Sequence, residues 1–192
     1  RDPSYWLFSR EKAGSGILSW LACHHIDLLC FLLDDSVVEV TAMVGNRTGE
    51  PIDVEDTACA VLRFSSGVLG TIHAGYHLAG SKPGSEGAST DMFLALRGTD
   101  GYVTMPLSES DRYTLLSIAP GWASGGARER RFDFPQSRAY AGASGAEFVS
   151  SFLTSVRSGG PAPCPIDNAV HVLEVIEAVI ESSATGRAVH LG

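Results

Sequence analysis

The sequence predicts an α+β fold, an open and mainly antiparallel β-sheet with helices packed on one face. Three features carry that expectation. A nearly unbroken apolar run from Ile17 to Leu33 reads as a core helix. Short alternating runs then follow, joined by turns too short for crossover helices, so neighbouring strands should run antiparallel. Helical periodicity returns near the end and closes the chain.

The first helix opens after Gly14-Ser-Gly16, and Asp34-Asp35 ends it with a polar break. Val37 to Val44 alternates, with Val38, Val40, Ala42 and Val44 inward and Glu39 and Thr41 outward. A loop with Gly, Pro and Asp spans Gly45 to Asp56. Thr57 to Phe64 and Val68 to Ala74 flank Ser65-Ser66-Gly67, a hairpin signal whose glycine is free to take positive φ. Leu78 to Ala88, rich in Gly, Ser and Pro, reads as a long exposed loop. A second hairpin runs from Asp91–Arg97 to Tyr102–Met105, with Met92, Leu94 and Leu96 on its buried face. Tyr113 to Ala119 and Arg130 to Phe134 are further strands around the glycine-rich Gly121–Ala127.

Phe148, Phe152, Leu153 and Val156 form a helical stripe stopped by Gly159-Gly160-Pro161. Asp167 can cap a last helix with Leu173, Ile176, Val179 and Ile180 inward. His171, Glu174 and Glu181 fall on its wet side, and Gly186 ends it. With 192 residues and no internal repeat, residues 1–192 are expected to form a single domain. Val61, Leu69, Phe93 and Leu116 fall opposite the helix-facing set and are too apolar for a wet surface. A homodimer or homotetramer through the sheet face is therefore expected.

The formal charge of −8, with no basic stripe to offset it, excludes a nucleic-acid surface. His24, His25 and Asp27 interrupt the apolar run, so no membrane span is expected. Four cysteines, at 23, 30, 59 and 164, form no C-x-x-C pair, which suits a reducing, cytoplasmic setting. No G-x-G-x-x-G or phosphate loop occurs, so no cofactor is expected to bind this chain. His24, His73 and His77 match no zinc spacing, and no metal is expected. The chain starts at Arg1 with no initiator Met and is expected to lack an N-terminal portion.

His24 and Asp27 are spaced i, i+3, which places both on one helix face. A carboxylate one turn from an imidazole can orient it for proton transfer. A histidine held by a neighbouring carboxylate for structural reasons has the same spacing. Both readings stand on the residues alone.

Gly14-Ser-Gly-Ile-Leu-Ser-Trp-Leu-Ala-Cys-His-His-Ile-Asp-Leu resembles the G-G-G-x-L-x-D-x-G-x-H-x-x-D-L motif of the glucose–fructose oxidoreductase/inositol dehydrogenase/MocA family. Val54-Glu-Asp-Thr-Ala, Gly67–Tyr76 and Leu96–Val103 resemble its sheet strands, and Pro165–Ala178 and Ser183–Arg187 its closing helix and last turn. The resemblance implies a C-terminal substrate-binding domain whose N-terminal dinucleotide-binding (Rossmann) domain is absent from this chain. It implies NAD or NADP in the full-length protein and a sugar, polyol or related carbonyl compound as substrate. On it, His24 falls on the histidine that contacts substrate or moves a proton, and Asp27 on a more structural aspartate. The family's aspartate four residues before the histidine is Trp20 here, and the glycine two before it is Ala22. Tyr5, Trp6 and Lys12, just before the motif, and Trp20 within it are expected to border the substrate. An aromatic offers stacking area to a sugar ring, although Trp6 could equally be plain core. The rival reading is a non-catalytic sugar-binding or oligomerisation module of the same fold, with Trp20 marking lost catalysis. On either reading this chain alone should be inactive.

Overall fold

In the computed structural model, residues 2, 4–76, 92–107, 111–122 and 126–192 are described. The expected loop at Leu78–Ala88, and His77, lie outside these residues. Alternation builds six strands close to where the sequence places them: β1 (Val37–Gly45), β2 (Thr57–Phe64), β3 (Leu69–Gly75), β4 (Phe93–Gly98), β5 (Gly101–Pro106) and β6 (Arg112–Ser117); β7 (Arg128–Arg131) only overlaps the expected Arg130–Phe134, and the short β8 (Val189–His190) was not expected. The fold is α+β and its described strand pairs are antiparallel. The strands form two four-stranded sheets, β3-β2-β1-β8 and β4-β5-β6-β7, rather than the one sheet expected. Turn signals specify pairing inside each hairpin, and nothing in them specifies a ladder between β3 and β4. The break falls there. The chain divides accordingly into two compact units, Arg1–Ala88 with Cys164–Gly192, and Ser89–Pro163.

In the first unit, helix α4 (Ile166–Thr185) buries Val172, Val175, Ile176, Ala178, Val179 and Ser182. These residues share a core with Val40, Ala42, Ala58, Ala60, Leu62 and Phe64 of β1 and β2. The helical stripe is rotated from the expected one: Leu173 is 56% exposed, and Val172 and Val175 face inward instead. His171 is likewise not on a wet face, because the Val37 N–H donates to its Nε2 at 3.1 Å. Asp167 sits in the first turn, after an N-cap at Pro165, and makes no capping hydrogen bond. A bulge between Val37 and Glu39 puts Val37 and Val40 into the core and leaves Val38 half-buried.

β1 outruns the two-residue β8, which pairs only with Glu39 and Val40. Two helix serines complete its ladder. The Ala42 N–H donates to Ser182 Oγ and the Val44 N–H to Ser183 Oγ, each at 2.9 Å. Ser182 Oγ in turn donates to the Arg187 carbonyl at 2.7 Å, so every role of this buried hydroxyl is filled.

The predicted first helix, Ile17 to Leu33, is a wide π turn at Leu18–Ala22 followed by α2 (Cys23–Leu33), and a separate four-residue α1 (Arg10–Ala13) precedes it. In the wide turn the Cys23 N–H reaches back to the Leu18 carbonyl. By length and composition Arg10–Leu33 could cross a membrane. Its apolar side is instead part of the first core, through Ile17, Leu18, Ala22 and Ile26.

The second unit holds β4 to β7 and α3 (Gly142–Ser158). Among its described residues only Leu94 is a buried hydrophobic, and α3 buries none of its residues. Within the first unit α4 packs on β1, and α2 packs on α4.

Candidate functional site

Tyr5, Trp6 and Phe8 lie on or beside a short 3₁₀ turn (Trp6–Phe8), Trp20 lies in the wide π turn, and Tyr76 follows β3. Their rings meet. Centroids are 5.9 Å apart for Tyr5–Trp6, 6.1 Å for Tyr5–Phe8, 6.2 Å for Phe8–Trp20, 6.4 Å for Phe8–Tyr76 and 5.4 Å for Trp20–Tyr76. Phe8 and Tyr76 are buried, while Tyr5 and Trp6 are half exposed and Trp20 is 38% exposed. Trp6 is thus not plain core. The cluster presents three ring surfaces to solvent on a floor of two buried rings.

Two adjacent acids hold the walls of this cluster. Glu55, 2% exposed, accepts the N–H groups of Gly16 at 2.6 Å and Leu18 at 3.2 Å, which fixes the start of the segment carrying Trp20. Its second oxygen faces Arg10 at 3.9 Å, and Arg10 also donates to the Asp53 carbonyl at 3.2 Å. Asp56 is fully buried and accepts the N–H groups of Arg47 at 2.7 Å and Thr48 at 2.8 Å and the Thr57 hydroxyl at 2.9 Å. Its carbonyl receives the Tyr76 N–H at 2.9 Å. The Glu55 carboxylate therefore anchors the segment carrying Trp20, and the Asp56 backbone carbonyl anchors Tyr76.

Burial works to raise the Asp56 carboxyl, but hydrogen bonds from Thr48, Arg47 and Thr57 outweigh it and hold the group below the usual carboxylate range. The stabilisation is then complete above the ordinary value of 3.8 and is lost as pH falls through the lower folded value. Asp56→Asn should cost about 2–3 kcal/mol at neutral pH. Urea denaturation of both proteins should show that gap narrowing as the pH is lowered below about 4. A gap independent of pH would overturn the assignment.

The other sequence-predicted residues lie outside the ring cluster. His24 is exposed on α2, Asp27 is half-buried and Lys12 is exposed on α1. No side-chain hydrogen bond or ion pair joins His24 to Asp27 among the described residues, so the i, i+3 spacing does not become a pair. Of the two histidines on α2, His25 has a local partner, its Nδ1 lying 3.0 Å from the Leu21 carbonyl. Burial pushes the thiols of Cys23 and Cys30 up, which keeps them protonated and unsuited to nucleophilic work. A cavity of about 280 Å³ lies in the second unit, lined by Arg97, Asp100, Tyr102, Leu116 and Ile118, and none of the predicted site residues lines it.

Sequence reasoning missed Glu55, Asp56, Phe8 and Tyr76. An acidic pair running straight into the apolar Thr57–Phe64 strand was the available signal, because acids at a strand entry that stays dry need donors.

Residues 1–104, more than half of the chain, match the family model described as the GFO/IDH/MocA C-terminal domain. A 1,5-anhydro-D-fructose reductase from Ensifer adhaerens is 26% identical over 128 residues, 59% of this chain and 38% of that protein. A levoglucosan dehydrogenase from Pseudarthrobacter phenanthrenivorans is 25% identical over 131 residues, 57% of this chain and 32% of that protein. Among solved structures, levoglucosan dehydrogenase in complex with NADH and levoglucosan has a TM-score of 0.81 at 20% identity, covering 98% of this chain and 54% of that one. That last likeness is one of fold. The chain spans well under half the length of the curated relatives it matches.

Proposed function

Because this chain belongs to the Gfo/Idh/MocA oxidoreductase family, we propose that it is the substrate-binding part of an NAD- or NADP-dependent oxidoreductase acting on a sugar, polyol or related carbonyl compound. The observation that carries the proposal is the ring cluster of Tyr5, Trp6, Phe8, Trp20 and Tyr76. Aromatic faces bind the C–H faces of sugar rings, and exposed rings on a rigid floor are ready to do so without reordering. A fold neighbour in complex with levoglucosan supports a ligand of that kind.

Hydride chemistry belongs to the nicotinamide. The described residues offer no glycine-rich strand-to-helix turn for its pyrophosphate, so the cofactor is assigned to a part of the protein outside this chain. Within the chain, His24 is the group for the reacting hydroxyl. Neither of its ring nitrogens has a protein partner among the described residues, so either can accept a hydrogen bond or a proton from substrate. Lys12 is a candidate contact for substrate oxygens, and Asp27 supports the helix.

Exposed Phe93, Ile118, Phe132 and Phe134 on a unit with so small a core support a homodimer or homotetramer through the second sheet. Light scattering of the intact protein should give a mass above the monomer's, and a strictly monomeric mass would remove this part of the proposal. The unpaired cysteines fit a reducing, cytoplasmic compartment.

The test is turnover of the intact protein with NAD(H) and NADP(H) against a panel of sugars and polyols. Trp20→Ala should raise KM about 3–10-fold, the loss of one stacked ring, with kcat little changed. Sugar binding with no turnover on any cofactor would favour the non-catalytic module, the reading that Trp20 at the family's acidic position supports.

A further inference from the structure

The outer face of the first sheet carries three soft or borderline donors that the ring cluster does not use. Met43 on β1 pairs directly with Cys59 on β2, and Cys59 pairs directly with His73 on β3. Opposed residues of antiparallel strands point to the same face. Burial shows which face it is: Ala42, Ala58 and Ala60 are buried, while Met43 is 80% exposed and Cys59 and His73 are exposed. A thioether, a thiol and an imidazole thus stand in one row, at strand spacings of about 4.7–4.9 Å, with the thiol in the middle.

We propose that this row binds a soft monovalent metal ion of the Cu(I) or Ag(I) kind, with the Cys59 thiolate as the central ligand and Met43 and His73 closing from either side. Binding exchanges the thiol proton for the metal, so one thiolate neutralises one monovalent cation and one proton is released. Donor type sets the selectivity. Among the described residues no group of three or more His, Cys, Asp and Glu is placed to hold a metal, so a hard or borderline divalent ion lacks its usual set. The thioether completes the row, and thioether with thiolate selects soft ions.

The surroundings agree. The flanking rows are Thr41–Val61–Thr71 and Gly45–Thr57–Gly75, with no carboxylate in either. Two glycines leave the second flank low, giving Met43 and His73 space to turn over Cys59. The Arg47 guanidinium folds against Gly45, so the flank carries a positive charge, which opposes a divalent cation more than a monovalent one. No side-chain partner of Met43, Cys59 or His73 competes among the described residues.

The experiment uses the intact protein and Ag(I), a redox-inert probe, with the Met43 ε-methyl and His73 ring followed by NMR. One equivalent should shift both signals together. Cys59→Ser should abolish both shifts, Met43→Leu should weaken binding at least about tenfold, and Cys164→Ser, at the other exposed thiol, should change nothing. All four side chains are exposed, so circular dichroism should stay the same in each variant. Failure of Ag(I) to move either signal overturns the proposal. So does equal affinity in Met43→Leu and wild type, the mark of a simple thiol adduct, or displacement of Ag(I) by equimolar Zn(II).

Discussion

In the intact protein, His24→Asn should lower kcat for the sugar substrate by about 10²–10⁴-fold if the imidazole is the general base. Dinucleotide affinity should remain nearly unchanged, because the cofactor is assigned outside this chain. The geometry bears on where in that range the effect falls. His24 is exposed and has no carboxylate partner among the described residues, so no neighbouring side chain fixes its orientation. Substrate must supply the orientation, which argues for the lower end. A variant whose kcat is intact while KM rises would make His24 a binding residue, since that pattern marks interactions equal in ground and transition states. A variant unchanged in both would remove it from the site.

Gly16→Ala should destabilise the first unit by about 3–4 kcal/mol. A Cβ there would lie 2.1 Å from the Glu55 carbonyl oxygen and 2.9 Å from a Val54 methyl. Backbone, not a flexible side-chain end, blocks the space. Relief would require separating two segments joined by the Ile17 N–H to the Glu55 carbonyl at 3.1 Å and by the Gly16 N–H to the Glu55 carboxylate at 2.6 Å. Urea denaturation should show a lower midpoint with a similar slope. Gly14→Ala is the control. Its φ of 76° disfavours alanine, but nothing lies within 4 Å, so the loss should be about 1 kcal/mol. Equal losses at the two glycines would show that close approach at Gly16 is not what the fold requires.

Local signals were legible and distant partnerships were not. Thr57–Phe64 alternates so regularly that the strand occupies the residues the sequence assigns to it. Gly159 and Gly186 end their helices at φ of 69° and 67°, as a residue without Cβ allows. Hydrophobic period could not reveal the bulge at Val37–Glu39, because an extra residue changes phase without changing composition. In the candidate site, Tyr5, Trp6 and Trp20 were identified on the family resemblance, and the structure brings their rings into one cluster. Phe8 and Tyr76 complete it through contacts between segments far apart in sequence. The His24–Asp27 pair was suggested by spacing alone, and spacing gives a shared face without giving a contact.

The wide turn at Leu18–Ala22 is a reserve of length. A π turn holds one residue more than the α-helix around it needs. Deleting a single residue there can restore regular winding while the Glu55-anchored entrance and the start of α2 keep their places. The same deletion inside α2 would turn one end against the other by about 100°, the rotation per residue of an α-helix, and carry Ile26 out of the core. Descendants of this fold can therefore gain or lose a residue beside Trp20 and change what is offered to a ligand at small cost to the scaffold.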